Sequence, residues 1–206
     1  MKLIIPAREG SKGLRYKNRY LFDYTAKIIP SNLKGDVFVT TDDDKIIDAA
    51  KGYGFNIIHR EPELCRDNVS IKHVLEDTVN RAKIDDDIIM LYLTYPKRTW
   101  NDVNDFYSFY LANNRAPTIC KKDVDNHPYL CYYNLCGGKG KKVIEHDLYR
   151  RQDYPSCFQI CHFLFGCKSN DLSMLDLNLF CDKAVFYKVE KEKCLDIDTP
   201  DDFKEM

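Results

Sequence analysis

Short apolar runs alternate with amphipathic stretches along the first 115 residues, and this alternation constrains the fold more than any other feature. Apolar runs at positions 3–5, 37–39, 55–58 and 88–93 have the length of buried strands. Stretches with helical spacing lie at 21–29, 43–53, 69–82 and 102–113. Because parallel strands need helical crossovers, the pattern predicts an α/β fold of three layers, a mostly parallel sheet with helices on both faces.

Turn and cap residues punctuate this pattern. Pro30 is expected to end the first helix, Gly54 the second, and the Asp42–Asp44 run to cap the second helix. In such sheets, ligands bind beyond the carboxyl ends of the strands. We therefore expect the loops 7–18, 40–42 and 94–99 to share one cleft.

The sequence changes character after Arg115. Segments 128–135 and 141–144 flank a glycine turn at 137–140, which predicts a hairpin within an arm at 122–157. Strands are predicted at 118–121, 158–166 and 184–189, and a helix is predicted to begin at Asp201. The whole chain, 1–206, is expected to form a single domain that carries this protruding arm.

Composition excludes several classes of protein. A net charge of −1 provides no global basic field, so we do not expect nucleic acid as a partner. The nine cysteines form no CxxC pair, which disfavours a structural zinc site and indicates reduced thiols. No apolar run approaches a membrane span or a signal peptide, so we expect no membrane partner and a cytoplasmic location.

The loop AREGSKGLRYKN, residues 7–18, follows the first strand and combines two glycines with four cations. Glycines let backbone N–H groups approach phosphate oxygens, and the cations neutralise their charge. The loop therefore predicts a polyphosphate site, although it matches neither GxxxxGK[ST] nor GxGxxG. The alternative is a solvated basic turn.

Asp196 and Asp198 flank Ile197 near the end of the sequence. In an extended segment, alternate residues face the same side, so the two carboxylates are expected to point into one cleft while Ile197 packs away from it. Paired carboxylates suit Mg²⁺, which prefers oxygen ligands. In the alternative, Asp198-Thr199-Pro200 forms the N-cap and first turn of a helix, a role that is compatible with metal binding by Asp196.

The first of these segments resembles a known family. IIPAREGSKGLRYKN is similar to the opening of the acylneuraminate cytidylyltransferases, A-R-x-x-S-K-x-x-x-x-K-N, which have a nucleotide-diphospho-sugar transferase-like fold. The resemblance implies that the CTP phosphates are held by Arg8, Ser11, Lys12 and Lys17, and that Asn18 contacts the ribose or cytosine. It also implies that Asp196 and Asp198, within D-I-D-x-P, bind catalytic Mg²⁺. Arg8, Lys12, Lys17 and Asp198 are accordingly the expected catalytic residues.

Two further segments extend the resemblance. HREPELCRDNVS is similar to the family's R-P-x-E-L-A-x-D-x-x-S, which implies Arg60 near the base and Ser70 near the acceptor sugar, while Asp67 is expected to cap a helix. LTYPKR resembles the Q-x-T-S-P-x-R turn. Tyr92 and Tyr95 replace its glutamine and serine, and Tyr92 lies on the sugar side.

The arm carries the last part of the resemblance. The run RRQD matches a family segment on a dimerisation arm, which implies a homodimer in which Arg150 and Arg151 meet the sugar carboxylate in the neighbouring subunit's cleft. FQICHFLF aligns with Y-x-N-G-x-F-Y, so Ile160 and Cys161 replace asparagine and glycine on the sugar side.

The resemblance implies transfer of CMP from CTP to the anomeric hydroxyl of an acidic nine-carbon sugar, with release of pyrophosphate. The sugar departures leave a legionaminic, pseudaminic or Kdo-like acceptor open. The region 18–37 is short and lacks G-K-P-L, which leaves open a degenerate homologue that binds nucleotide without turnover. A transferase for a neutral sugar phosphate is a third alternative, but its G-x-G-T-R-L-type loop is absent. The histidines His59, His127 and His162 are expected to be structural.

Overall fold

The structure is a computed structural model that describes residues 1–10 and 13–205. Its strands are β1 (Lys2–Pro6), β2 (Val37–Thr41), β3 (Asn56–His59), β4 (Asp87–Leu91), β5 (Thr118–Asp123), β6 (Tyr132–Leu135), β7 (Lys139–Lys142), β8 (Phe158–Lys168) and β9 (Val185–Lys188). Its α-helices are α1 (Lys17–Ile28), α2 (Asp44–Tyr53), α3 (Ile71–Ala82) and α4 (Trp100–Ala112). Within these described ranges, no helix combines the length and apolarity needed to cross a bilayer.

Seven strands form one sheet in the order β3-β2-β1-β4-β8-β5-β9. The strands β1 to β4 are mutually parallel, and β9 is parallel to β5. The strand β8 runs antiparallel to both of its neighbours, β4 and β5. The prediction of a mostly parallel α/β sheet is therefore confirmed.

Alternate side chains of the buried strands enter two separate cores. Leu3 and Ile5 of β1 pack into a cluster that also contains residues of α1, α2 and α4. Ile4, between them, packs into a second cluster with Leu75 and Val79 of α3. Since successive strand residues face opposite sides of a sheet, a run of three apolar residues serves both cores. Helices thus cover both faces, as the three-layer prediction required.

Local cap chemistry sets several helix boundaries as predicted. The Asp43 side chain accepts a hydrogen bond from the Lys45 N–H at the start of α2. Gly54 ends that helix with a φ of 78°, a left-handed conformation that glycine adopts at little cost. Thr99 and Asp102 form a reciprocal capping box at the start of α4.

Three predicted boundaries were wrong. The helix α1 begins at Lys17 rather than at Leu21. Its N-cap, Tyr16, has a left-handed conformation with a φ of 59°, and the helix follows it directly. The N-cap of α3 is Ser70, not Asp67, whose carboxylate instead pairs with Arg8. The predicted C-terminal helix is a 3-10 turn, Asp202–Glu205, and Met206 lies outside the described residues.

The arm forms its own small sheet. The strands β6 and β7 pair antiparallel around a turn in which Gly137 and Gly138 have positive φ. The predicted arm started at 122, but Lys122 and Asp123 still belong to β5. Within the arm, rings from separate segments stack together, with the Tyr129 and His146 centroids 4.2 Å apart. Many of its apolar side chains are exposed, including Tyr132, Tyr133 and Leu135.

A buried polar cluster lies at the start of β4, at the opposite end of the strand from the loop 94–99. The Asp87 carboxylate accepts hydrogen bonds from the hydroxyls of Tyr110 at 2.8 Å and Tyr107 at 3.1 Å, and from Arg115 Nε at 3.1 Å. Burial, followed by the neighbouring Asp87 carboxylate, raises the pKa of Tyr110 well above its ordinary value. This cluster anchors α4 to the sheet.

Candidate functional site

The loops at the carboxyl ends of the strands come together, as the sequence predicted. The Ala7 N–H donates to the Thr40 carbonyl at 2.9 Å, which joins the loop after β1 to the end of β2. The Glu9 N–H donates to the Asp42 carboxylate at 2.8 Å. The Ile197 N–H donates to the Thr94 carbonyl at 2.9 Å, which joins the C-terminal segment to the loop after β4.

The segments after β1, β3 and β4 line a cleft of about 280 Å³, named here the cationic cleft. The loop 40–42, which was predicted to share it, is not part of its lining. Four of its lining side chains are basic, and within the described residues its acidic lining side chain is Asp67. A local excess of cations in a concave site raises the concentration of anionic ligands there. The charged residues of the lining are Arg8, Lys17, Arg60, Arg66 and Asp67.

Arg8 is oriented by contacts on two sides of the cationic cleft. Its guanidinium lies 2.8 Å from the Asp67 carboxylate and donates to the Cys65 carbonyl at 3.1 Å. The side-chain amide of Asn18 donates to the Arg8 main-chain carbonyl at 2.8 Å. Arg8 and Asn18 therefore support one another from opposite ends of the loop.

Arg60 is buried at the back of the cleft, with 4% of its surface exposed. One terminal nitrogen donates to the Thr40 carbonyl at 3.0 Å, and Nε has no hydrogen-bond partner among the described residues. Burial lowers its pKa below the ordinary arginine value, because the charged form is desolvated. A buried cation without full compensation is stabilised when an anion or carbonyl oxygen reaches it.

Lys17 and Asp198 join the two ends of the sequence. The Lys17 ammonium lies 2.5 Å from the Asp198 carboxylate, whose side chain is 66% exposed. Gly13 packs so closely on the Asp198 main-chain carbonyl that a Cβ at that position would clash with it. The loop after β1 and the C-terminal segment are therefore in direct contact, and the cationic loop meets Asp198, one member of the aspartate pair.

The second aspartate, Asp196, faces a different partner. Its carboxylate accepts a hydrogen bond from the Tyr95 hydroxyl at 3.0 Å. That hydroxyl in turn accepts one from the main-chain N–H of His162 at 3.1 Å. Burial, followed by the Asp196 carboxylate, raises the pKa of Tyr95 above its ordinary value, so the phenol remains a donor. Ile197 is fully buried between the aspartates, as predicted.

The aspartate pair has the donor chemistry that Mg²⁺ requires. Within the part of the chain that the structure describes, Asp196 Oδ1 is buried without a hydrogen-bond partner, and Asp198 presents an exposed carboxylate. Both supply the oxygen ligands that this hard cation prefers. No cluster of three or more metal-binding side chains occurs among the described residues. The residues therefore fit the ion.

A second cleft of about 580 Å³ adjoins the first and is named here the apolar cleft. The two share the lining residues Asp67, Val69, Ile71 and Tyr92. Aliphatic and aromatic side chains form much of its surface. Its remaining lining residues are Asn68, Ser70, Ile160, His162, Leu177 and Asn178.

Two of the predicted sugar-side residues, Ser70 and Tyr92, line the apolar cleft. The Ser70 hydroxyl donates to the Leu177 carbonyl at 2.5 Å and accepts from the Lys72 N–H at 3.2 Å. Tyr92 lies beside His162, with ring centroids 5.0 Å apart, and burial raises its pKa above the ordinary value. Ser70 thus holds the cleft wall in place, while Tyr92 forms part of the wall shared by both clefts.

The other two, Arg150 and Arg151, lie on the arm. Arg150 makes a two-pronged ion pair with Asp153 at 2.8 and 3.0 Å. Neither arginine belongs to the lining of the clefts described above. Ser11 and Lys12 lie outside the described residues, so their predicted contacts with phosphate stay predictions.

Sequence reasoning missed three residues of the site. Arg66 adds a fourth described cation to the cationic cleft, and His162 and Leu177 line the apolar cleft. Arg66 could have been predicted from the sequence, because it lies with Arg60 in the segment HREPELCRDNVS. Leu177 lies in a turn that follows the 3-10 helix Ser169–Met174 and is joined to Ser70, at the start of α3, by a hydrogen bond. No sequence pattern predicted its proximity to the cleft.

Comparison with known proteins finds relatives whose matches cover nearly the whole chain. No family model matches. The N-acylneuraminate cytidylyltransferase of Streptococcus agalactiae serotype V is 27% identical over 210 residues, covering 97% of this chain and 51% of that protein. The protein of the same name from Escherichia coli O18:K1:H7 is 24% identical over 98% of this chain and 50% of its own length. The predicted resemblance is confirmed, and the chain spans about half the length of these relatives.

Solved structures share the fold. A CMP:2-keto-3-deoxy-manno-octonic acid synthetase complexed with CTP superposes with a TM-score of 0.66 at 15% identity, covering 99% of this chain and 95% of that one. A cytidylyltransferase from Leptospira borgpetersenii serovar Hardjo-bovis gives 0.62 at 16% identity, covering 98% and 82%. The nucleotidyltransferase-type fold predicted from the sequence is therefore confirmed.

Proposed function

We propose that this chain transfers CMP from CTP to the anomeric hydroxyl of an acidic sugar and releases pyrophosphate. The observation that carries the proposal is the contact between Lys17, a lining residue of the cationic cleft at the start of α1, and Asp198 in the C-terminal segment. Cations for a polyphosphate and carboxylates for a divalent ion are thereby next to one another. The relatives named N-acylneuraminate cytidylyltransferase support the same reaction, with a nine-carbon acid as acceptor.

The cationic cleft would hold CTP through charge and preorganised donors. Arg8, fixed by Asp67 and Asn18, and Lys17, at the first turn of α1, would contact phosphate oxygens. Arg60, buried with an unpartnered Nε, would donate to the base or its ribose. Because these groups are already oriented, they stabilise the charge that develops on the leaving pyrophosphate without reorganising.

The aspartate pair would hold Mg²⁺. When bound, Mg²⁺ would supply Lewis-acid neutralisation of phosphate oxygens. Asp198 is in ion-pair contact with Lys17 in the described structure, so a polyphosphate that engages Lys17 frees the carboxylate for the cation. A carboxylate of the pair, Asp196 or Asp198, would accept the proton of the attacking hydroxyl.

We further propose that two copies associate through the arm. Its exposed apolar side chains include Tyr149, which is 94% exposed, and such surfaces are typical of protein contacts. Arg150 and Arg151 lie outside the clefts of their own chain, so they would have to reach a neighbouring copy to meet an acceptor carboxylate. Sedimentation equilibrium of the wild type and of a Tyr149→Asp variant would test this association.

Pyrophosphate release tests the proposed reaction. The purified chain is incubated with CTP, Mg²⁺ and a panel of acidic sugars, and product is measured by coupled phosphate detection. We expect release with at least one acid and with CTP rather than ATP. Lys17→Ala should slow turnover by about 100- to 1,000-fold, the size typical for loss of a charge-stabilising donor.

Lys27→Ala provides the matched control. Lys27 lies on the same helix, α1, and pairs only with the exposed Asp23 among the described residues, so its removal should leave turnover within about twofold. If the chain binds CTP but releases no pyrophosphate in the presence of any of the acids, the result would support a degenerate homologue that binds nucleotide without turnover. An equal loss in both lysine variants would contradict the role assigned to Lys17.

A further inference from the structure

One side chain, that of Arg19 in the first turn of α1, joins the segments that follow β1 and β2. Its Nε lies 2.7 Å from the Asp43 carboxylate, and a terminal nitrogen lies 2.7 Å from the Glu9 carboxylate. Its guanidinium carbon lies 3.9 Å from the centre of the Tyr16 ring. Glu9 and Tyr16 lie towards the two ends of the loop after β1, whereas Asp43 follows β2. Arg19 therefore ties both ends of this loop to the next strand of the sheet.

The fixed point of this arrangement is Asp43, whose side chain is fully buried. Its second oxygen accepts a hydrogen bond from the Lys45 N–H at 2.9 Å, and its own N–H donates to the Thr41 hydroxyl at 3.1 Å. A buried carboxylate needs a cationic partner, and among the described residues that partner is Arg19. Arg19 is therefore anchored to a rigid part of the sheet.

On one side of this anchor, Arg19 holds Glu9. The Glu9 carboxylate accepts a hydrogen bond from the guanidinium, and the Glu9 main-chain N–H donates to the Asp42 carboxylate at 2.8 Å. Glu9 is thereby held through both its side chain and its backbone. It directly follows Arg8, whose side chain lines the cationic cleft, so these contacts fix the backbone from which Arg8 projects.

On the other side, Arg19 packs on Tyr16, which has a left-handed backbone conformation with a φ of 59°. Such a conformation is unfavourable for residues other than glycine and persists where surrounding contacts hold it. Arg15 adds a second guanidinium, 4.6 Å from the ring centre, and donates to the Tyr16 hydroxyl at 2.7 Å. Lys17 directly follows Tyr16 and lines the cationic cleft, so this packing fixes the turn from which Lys17 projects.

We infer that Arg19 is a positioning residue that holds the loop after β1 in the form that presents Arg8 and Lys17 to a polyphosphate. Arg19 does not itself line the cationic cleft, so it acts through Glu9 and Tyr16. Its planar guanidinium bonds two carboxylates and packs on a ring at once, whereas the ammonium of lysine is a compact point charge. The kinetic consequence rests on the proposed function, but the effect on the loop does not.

Arg19→Lys tests the inference, because it keeps a positive charge beside the buried Asp43 and loses the fork and the ring contact. At saturating acceptor, we expect kcat/KM for CTP to fall about 10- to 100-fold, the size expected when groups that bind substrate are displaced by about 1 Å. The acceptor KM should stay within about twofold of wild type. Rates are expressed per folded molecule, and an unchanged kcat/KM for CTP would overturn the inference.

Arg115→Lys provides the matched control. Arg115 Nε lies 3.1 Å from the carboxylate of Asp87, which is also buried but lies at the start of β4. Both variants weaken an arginine–aspartate pair and should lower the urea midpoint of unfolding. We expect kcat/KM for CTP to fall in Arg19→Lys and to stay at the wild-type value in Arg115→Lys. An equal fall in both would show that Arg19 has only a general structural role.

Tyr16→Leu tests the path from Arg19 to Lys17. Leucine provides no aromatic face, so this variant alone should lower kcat/KM for CTP about 3- to 10-fold. Because Arg19→Lys removes the same contact, the double variant should lose less than the product of the two single losses, by at least about twofold. Losses that multiply would contradict a path through this ring.

Hydrogen exchange tests the loop without any substrate. The N–H groups of Glu9 and Lys17 are hydrogen-bonded, to a side-chain carboxylate and to a main-chain carbonyl. Arg19→Lys should speed their exchange about fivefold or more, as for loss of a contact that keeps a segment closed, whereas Arg115→Lys should leave it unchanged. If no acid supports pyrophosphate release, the proposed function fails, and faster exchange in Arg19→Lys still upholds the positioning role. Equal exchange in both variants would overturn that role even where the reaction occurs.

Discussion

The cationic and apolar clefts share a wall but are assembled in different ways. The cationic cleft is formed by loops that leave the ends of β1, β3 and β4, so its basic residues lie close to strands that the sequence pattern identifies. The apolar cleft combines segments from 67–71, 92, 160–162 and 177–178, which only tertiary packing brings together. Recognition of charge is therefore encoded locally, whereas the shape of the neighbouring cleft depends on long-range contacts.

The variant expected to separate the two clefts most strongly is Asp198→Asn. Loss of the carboxylate should lower kcat by about 100- to 1,000-fold, because it would remove a metal ligand and the partner of Lys17. The Kd for the acid acceptor, measured without CTP, should not change. Asp201→Asn is the control, since Asp201 is highly exposed and pairs with Lys204 at the surface. Wild-type turnover by Asp198→Asn at saturating Mg²⁺ would contradict the metal assignment.

Arg60→Met should give the next largest effect, confined to the cationic cleft. Methionine is also a long, unbranched side chain but lacks the buried guanidinium of Arg60. The KM for CTP should therefore rise about 10- to 100-fold, the size expected for loss of a charge-assisted hydrogen bond. The acceptor KM should stay within twofold of wild type. Steady-state kinetics with each substrate varied in turn would measure both. A rise in the acceptor KM alone would show that Arg60 serves the other cleft.

Leu177→Ser should act on the apolar cleft by a smaller factor. The main-chain carbonyl that holds this segment against Ser70 is kept, so the fold should be preserved while the acceptor KM rises about 3- to 10-fold. The KM for CTP should remain unchanged. Leu111→Ser, at an exposed leucine of α4, provides the matched control. Equal effects of the two variants would remove the argument for an apolar acceptor wall.

Tyr110→Phe should leave both clefts intact and change stability alone. It removes a hydrogen bond to Asp87 in the cluster that anchors α4, which should lower the free energy of unfolding by about 1 to 3 kcal/mol. Because the pKa of Tyr110 is raised in the folded state, its contribution is complete below the unfolded tyrosine pKa of about 10 and is lost as pH rises above it. Urea denaturation at neutral and alkaline pH should show the variant to be less sensitive to alkali. Reduced turnover per folded molecule would contradict its separation from the site.

The sequence predicted the sheet and the cationic cleft well, because short-range rules determine both. Apolar runs located the buried strands, and Asp43 and Gly54 marked the ends of α2 through local capping. The contact between Lys17 and Asp198 had another basis, because the family resemblance, and not a strand end, implied that the loop 7–18 and the aspartates act at one site.

Other features could not be predicted, because they depend on contacts between distant segments. The pairing of Asp67 with Arg8 displaced its expected capping role, which passed to Ser70. Asp196 was expected to share one cleft with Asp198, but it lines a different pocket, in which Asp198 takes no part. There its carboxylate accepts a hydrogen bond from Tyr95, one of the two residues where the turn after β4 departs from the family pattern. The approach of Leu177 to the apolar cleft depends on Ser70, which lies over a hundred positions earlier in the chain.

The close packing of Gly13 against the Asp198 carbonyl also bears on the order in which the protein becomes competent during synthesis. The parallel strands β1 to β4 are all made before residue 92, but the core on which they pack also contains Phe163 and Ile197. The basic loop after β1 must then wait for more than a hundred further residues before its acidic counterpart emerges. A prematurely terminated chain would therefore lack both the acidic partner of this loop and part of the core beneath the sheet.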